Sequence, residues 1–141
     1  MRYKILEDVA IADVCFVAYG KDINELFGNA AFATEEIMVD TKTVKPRVSH
    51  TIMLDKEKLE DLLYDFLSEL IFLKDADSLV FSAITVKIEK NKTYRLTALL
   101  KGEPLDRKHH VLRADVKAVT LHMFTIEKNK STWSCQVVLD V

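Results

Sequence analysis

The stretch KEKLEDLLYDFLSELIFL, residues 56–73, decides the architecture. Leu59, Leu62, Leu63, Tyr64, Phe66, Leu67, Leu70, Ile71 and Leu73 recur at helical spacing and cover more than half of the helix they define. The polar strip that remains is Asp61, Asp65, Ser68 and Glu69. A surface helix needs only one apolar stripe, whereas a helix this apolar packs against more than one layer. The spacing predicts a helix over about 56–73, capped by Asp55, that lies between sheets or between a sheet and a second helix.

Upstream, residues 12–19 alternate as a buried strand, with Ala12, Val14, Phe16 and Ala18 on one face and Asp13, Cys15, Val17 and Tyr19 on the other. After the Gly20-Lys21-Asp22 turn, Asp22 is the expected N-cap of a helix over about 23–38, with Glu25 three residues on. A loop with Pro46 follows, then a short strand over 48–54. Downstream of the Asp75-Ala76-Asp77-Ser78 loop the chain turns β-rich. Ile84-Val86-Ile88 and Tyr94-Leu96-Ala98-Leu100 flank a Lys90-Asn91-Lys92 turn as a hairpin. Residues 102–109 read as a polar loop, 111–127 as one long or two shorter strands, and 133–141 as the last strand. The order β-α-β-α-β-β-β-β indicates an α+β fold.

Composition is that of an ordinary globular protein, with 49% hydrophobic and 30% charged residues in 141. One domain over 1–141 is expected, since three Gly and two Pro leave little for long linkers. Neither an 18-residue apolar run nor a signal-peptide core is present, which predicts a cytoplasmic protein without a membrane segment. Cys15 and Cys135 then read as buried free thiols. A net charge of −2 gives no bulk attraction to nucleic acid, so any RNA role needs a local patch or a partner.

Candidate chemistry is sparse. The last strand places the Asp140 side chain one residue from the Val141 carboxylate, a pair of hard oxygen groups that suits Ca²⁺, Mg²⁺ or a cationic group, or that is simply a solvated strand end. Asp13 stands among apolar neighbours, where a carboxylate is costly unless paired or metal-bound; facing the last strand, it would complete an oxygen-rich site. Lys108-His109-His110 with His122 reads as surface loop histidines rather than a metal site, and His50 stands alone. Asp115 and Lys117 read as a cross-strand ion pair or a charged patch for a partner. The acidic strip Asp61, Asp65, Glu69, extended by Asp75 and Asp77, reads as a solvated helix face or a dock for a basic protein. No Gly-rich phosphate loop, CxxC, HExxH or GxSxG occurs, which weighs against a self-contained enzyme.

Several stretches together resemble the archease family. Ala12-Asp13-Val14 with Ala18-Tyr19-Gly20, the Leu26-Phe27-Gly28-Asn29-Ala30-Ala31 helix and the 62–70 run each resemble a family segment. So do Gly102-Glu103-Pro104, Lys108-His109-His110, Asp115-Val116-Lys117-Ala118-Val119-Thr120 and the ending Val138-Leu139-Asp140-Val141. The likeness covers nearly the whole chain in order. One departure stands out: where the family has Glu-His-Thr-Ala-Asp, this chain reads Glu7-Asp8-Val9-Ala10-Ile11-Ala12-Asp13, without the His-Thr pair and about two residues longer.

The resemblance implies a small three-layer β/α/β sandwich with both helices between sheets, in agreement with the apolar helix at 56–73. It implies a non-catalytic activator of the RtcB-type tRNA-splicing RNA ligase, which promotes ligase guanylylation and multiple turnover and alters NTP specificity. RNA is then met only indirectly. It further implies a divalent-ion site, expected to take Ca²⁺, at Asp13, Asp140 and Val141, with Lys117 a further functional residue. Two other readings compete: a chaperone or specificity modulator of RNA-modifying enzymes, and a small metal-dependent hydrolase using the same acids and His110.

Overall fold

The structure, a computed structural model, describes residues 2–6 and 13–141. Strands β1 (Tyr3–Leu6) and β2 (Asp13–Gly20) lead into helix α1 (Ile23–Met38). Strand β3 (Val48–Lys56) and helix α2 (Leu59–Asp77) follow, then the hairpin of β4 (Leu79–Lys90) and β5 (Tyr94–Pro104). Short strands β6 (Ala118–Val119) and β7 (Thr125–Asn129) precede β8 (Thr132–Asp140). One antiparallel sheet runs β1-β2-β8-β6, with β7 also paired to β8; the other runs β3-β5-β4.

Both helices lie between these sheets, as the apolar helix required. Leu62, Leu63, Phe66, Leu67 and Leu70 of α2 are fully buried in one core with Phe27 of α1, Leu96 of β5 and Val137 of β8. The Phe27 and Phe66 rings stack at 6.4 Å, 17° from parallel. Burying a side chain of this size stabilises by roughly 1.5–3 kcal/mol, which is why the helical layer holds the two sheets together. No helix among the described residues is long and apolar enough to cross a membrane.

The α1 cap forms as expected: Asp22 Oδ1 accepts the Glu25 N–H at 2.8 Å, and Glu25 reaches back to the Lys21 N–H at 3.2 Å. The α2 cap does not. Asp55 is a strand residue, opposite Arg95 in the ladder and 3.4 Å from its guanidinium, because β5 is long enough to extend β3 to Lys56. The helix therefore starts at Leu59, after Lys58, with no side-chain cap. It also continues past Leu73 to Asp77 and stops on Ser78 in the left-handed region. A strand at residues 3–6 was not expected from the sequence, and the expected start of β2 at Ala12 lies outside the described residues.

The largest departure is at 111–127. Only Ala118–Val119 and Thr125–Asn129 pair as strands there. The backbone before them closes the end of α1 instead: the Arg113 and Ala114 N–H groups donate to Met38 and Ile37 carbonyls at 2.9 and 3.0 Å. A helix end leaves its last carbonyls without intrahelical donors, and this segment supplies them.

Candidate metal centre

The register of β2 on β8 sets Asp13 directly opposite Asp140. Opposed residues of an antiparallel ladder share a face, with Cβ atoms about 4.5–5.5 Å apart. That face is the one turned away from the helices, since the alternate pairs Val14–Leu139 and Phe16–Val137 point into the core. Both acids are half-buried. Like charges so placed destabilise a sheet unless a cation lies between them. Among the described residues, neither carboxylate has an ion-pair partner.

Asp140 is held by its backbone from the other side. Ala118 pairs with it, and the Lys117 N–H donates to its carbonyl at 2.7 Å. Val141 is half-buried and rests against the core. Among the described residues no three His, Cys, Asp or Glu side chains cluster as a metal site; backbone oxygen, such as that of Val141, is a further hard ligand available beside the two acids.

The 115–117 segment is not a strand, and Asp115 is not paired across one. Its partner is Lys74 in the last turn of α2, at 3.0 Å. The Lys74 ammonium, 10% exposed, also donates to the Val116 carbonyl at 3.1 Å and lies 3.2 Å from Asp75. This contact holds the Asp115 carboxyl below the usual range, with smaller help from Lys117 and Arg107. Lys117 is thus tied at Val116 to α2 and at its own N–H to β8. Lys74 carried no signal in the sequence, because a cation near a helix end is ordinary there. The acidic strip of α2 is partly engaged as well, through an Asp65–Lys56 ion pair at 2.8 Å.

His110 was expected at the surface and is buried, its side chain 1% exposed. Its Nδ1 accepts the Asp106 N–H at 2.8 Å, which leaves the proton on Nε2 to donate to Glu103 at 2.7 Å. With both ring nitrogens engaged, His110 has no lone pair for a metal or a substrate, and the hydrolase reading loses its base. His109 and His122 are exposed as expected. Both cysteines are buried free thiols. Burial raises the Cys15 thiol and pushes that of Cys135 up to about 12.

The profile of the archease protein family matches residues 3–141. The chain is 36% identical to the protein archease of Methanosarcina mazei, across 99% of this chain and 96% of that one. It is 40% identical to that of Thermococcus gammatolerans, across 92% and 93%. The solution structure of Methanobacterium thermoautotrophicum protein 1598 superposes with a TM-score of 0.87 at 36% identity over 99% of both chains. A Thermotoga maritima archease, described as a possible chaperone, shares the fold at a TM-score of 0.64 and 18% identity, over 92% and 91%. A match that runs through both helices, both sheets and the paired acids is that of a whole fold, and the chain belongs to the archease family.

Proposed function

We propose that this protein is a non-catalytic activator of an RtcB-type tRNA-splicing RNA ligase, which promotes guanylylation and repeated turnover of the ligase and alters its choice of NTP. The observation that supports it is the direct opposition of Asp13 and Asp140 at the end of the β2–β8 ladder. Two carboxylates on one face, with the backbone oxygen of Val141 beside them, offer hard anionic ligands for a divalent cation, Ca²⁺ first. The cation would relieve a like-charge contact that otherwise costs stability.

On this reading the protein supplies a charged tip rather than a reaction. Asp13 and Asp140 hold the ion, the Lys117 N–H fixes the strand end that carries Asp140, and the Lys117 side chain meets the ligase or its nucleotide. The bond-making chemistry stays with the ligase, and RNA is reached through it.

The experiment follows ligase guanylylation by GTP with Mn²⁺, with and without this protein. Intact protein should accelerate the step, while Asp13→Ala and Asp140→Ala, folded by circular dichroism, should not. Calcium titration by calorimetry should show one site in the intact protein and none in either variant. Failure of the intact protein to accelerate guanylylation would sink the proposal.

A further inference from the structure

A concave groove of about 910 Å³ opens beside the start of β3, between residues 43–47 and the turn at 103–110. Lys45 and Arg47 line one side, and Arg107, Lys108 and His109 the other. In a chain of net charge −2 this grouping of cations is local and not a reflection of composition.

The two acids in the groove are already committed. The Glu103 carboxylate accepts the Lys45 N–H at 2.9 Å, lies 3.5 Å from Arg47 and takes the His110 Nε2–H at 2.7 Å. Those contacts, the Lys45 bond foremost, hold its carboxyl below the usual range, so it is an anion with its oxygens occupied. Asp106 caps the Lys108 N–H at 2.9 Å and lies 3.5 Å from His109. Among the described residues, the side chains of Lys45, Arg107 and Lys108 have no ion-pair partner. Buried His110 ties Glu103 to the backbone of Asp106, so the walls that carry the cations are fixed in advance.

The groove also leads to the paired acids. Residues 110–117 run from its wall to the Asp140 carbonyl, and Arg107 is near enough to Asp115 to act on its charge. Only Pro104 and Leu105 among the lining residues are apolar, and none is Phe, Tyr or Trp. Cations on two facing segments, without an aromatic platform for a base, fit successive phosphates of an extended backbone better than a single nucleotide.

We propose that this groove is a phosphate-binding site that takes the phosphodiester backbone of single-stranded RNA. It gives a direct hold on RNA to a protein that otherwise reaches it through the ligase, and it stands whether or not the ligase is activated.

The test measures binding of a fluorescent single-stranded oligoribonucleotide by anisotropy across a salt series, with pyrophosphate and a polyglutamate peptide as competitors. Arg107→Ala/Lys108→Ala, both exposed, should bind roughly tenfold more weakly. The log–log salt slope should become shallower by about 1.4, at about 0.7 for each single-strand phosphate that is no longer neutralised. Lys87→Ala/Lys92→Ala removes equal charge near the far end of the hairpin and should leave both quantities unchanged. Absence of oligoribonucleotide binding, equal weakening in the two double variants, or pyrophosphate bound in preference to the oligoribonucleotide would each overturn the proposal. So would polyglutamate competing as well as RNA.

Discussion

Glu35, in the fourth turn of α1, is fully buried, and only one of its carboxylate oxygens is bonded. Oε1 accepts the Phe81 N–H at 2.9 Å, while Oε2 has no partner among the described residues. Burial raises the carboxyl from 4.5 to about 8, against the Phe81 bond and the more distant Lys74 charge. Between those values the folded protein keeps a proton that the unfolded chain has released. Its stability therefore falls as pH rises from about 4.5 to about 8 and levels off above, where both states are ionised. At about 1.4 kcal/mol per pH unit, that interval comes to about 5 kcal/mol. This is comparable with the whole stability of a marginal domain, about 5–15 kcal/mol. Glu35→Gln keeps the acceptor for Phe81 and removes the titration. Urea unfolding of both proteins, from about pH 5 to about pH 8, should show wild type losing about 1.4 kcal/mol per unit relative to Glu35→Gln. Subtraction cancels every other titrating group, so parallel pH profiles would refute the reasoning outright.

Two further outcomes follow from packing. With the Cys135 thiol pushed up to about 12 and Cys15 raised by burial, neither should react with a disulfide reagent at about pH 8 until urea unfolds the chain; fast labelling of the native protein would contradict this. A methyl group on Gly102 would press on the Val80 carbonyl and stand 2.6 Å from Phe81 Cα. Gly102→Ala should therefore cost about 1–3 kcal/mol or more in thermal unfolding, and an unchanged Tm would show that the β4–β5 ladder can shift there.

The fold was legible wherever periodicity and burial agree. The apolar girth of α2 announced two neighbouring layers, and the alternation of Tyr94, Leu96, Ala98 and Leu100 announced β5. Residues 111–117 depart from the expected strand: Val111, Leu112 and Val116 carry strand propensity, while the segment's hydrogen bonds go to the end of α1, to Lys74 of α2 and to Asp140 of β8, tertiary demands without a local signature. Asp55 looked like a cap because only the distant Arg95 and Tyr94 reveal that the ladder continues through it. Asp13 and Asp140 could each be singled out, but alternation alone gave no register between two strands from opposite ends of the sequence. His110 failed for a related reason. In a polar loop it reads as exposed, and only the Glu103 and Asp106 contacts show why burying it costs little.

The pairing of β2 with β8 has a consequence for how the chain reaches this fold. The β3-β5-β4 sheet is assembled from one continuous run of residues, 48–104, and can organise early because its contacts are comparatively local. The other sheet must bring residue 13 beside residue 140, a contact of far higher contact order. Loop-closure entropy is then overcome late, which makes this sheet the slower cooperative unit of folding. An ion shared by Asp13 and Asp140 would act as a staple on that late closure, and saturating it would slow amide exchange along β2 and β8 more than in β5.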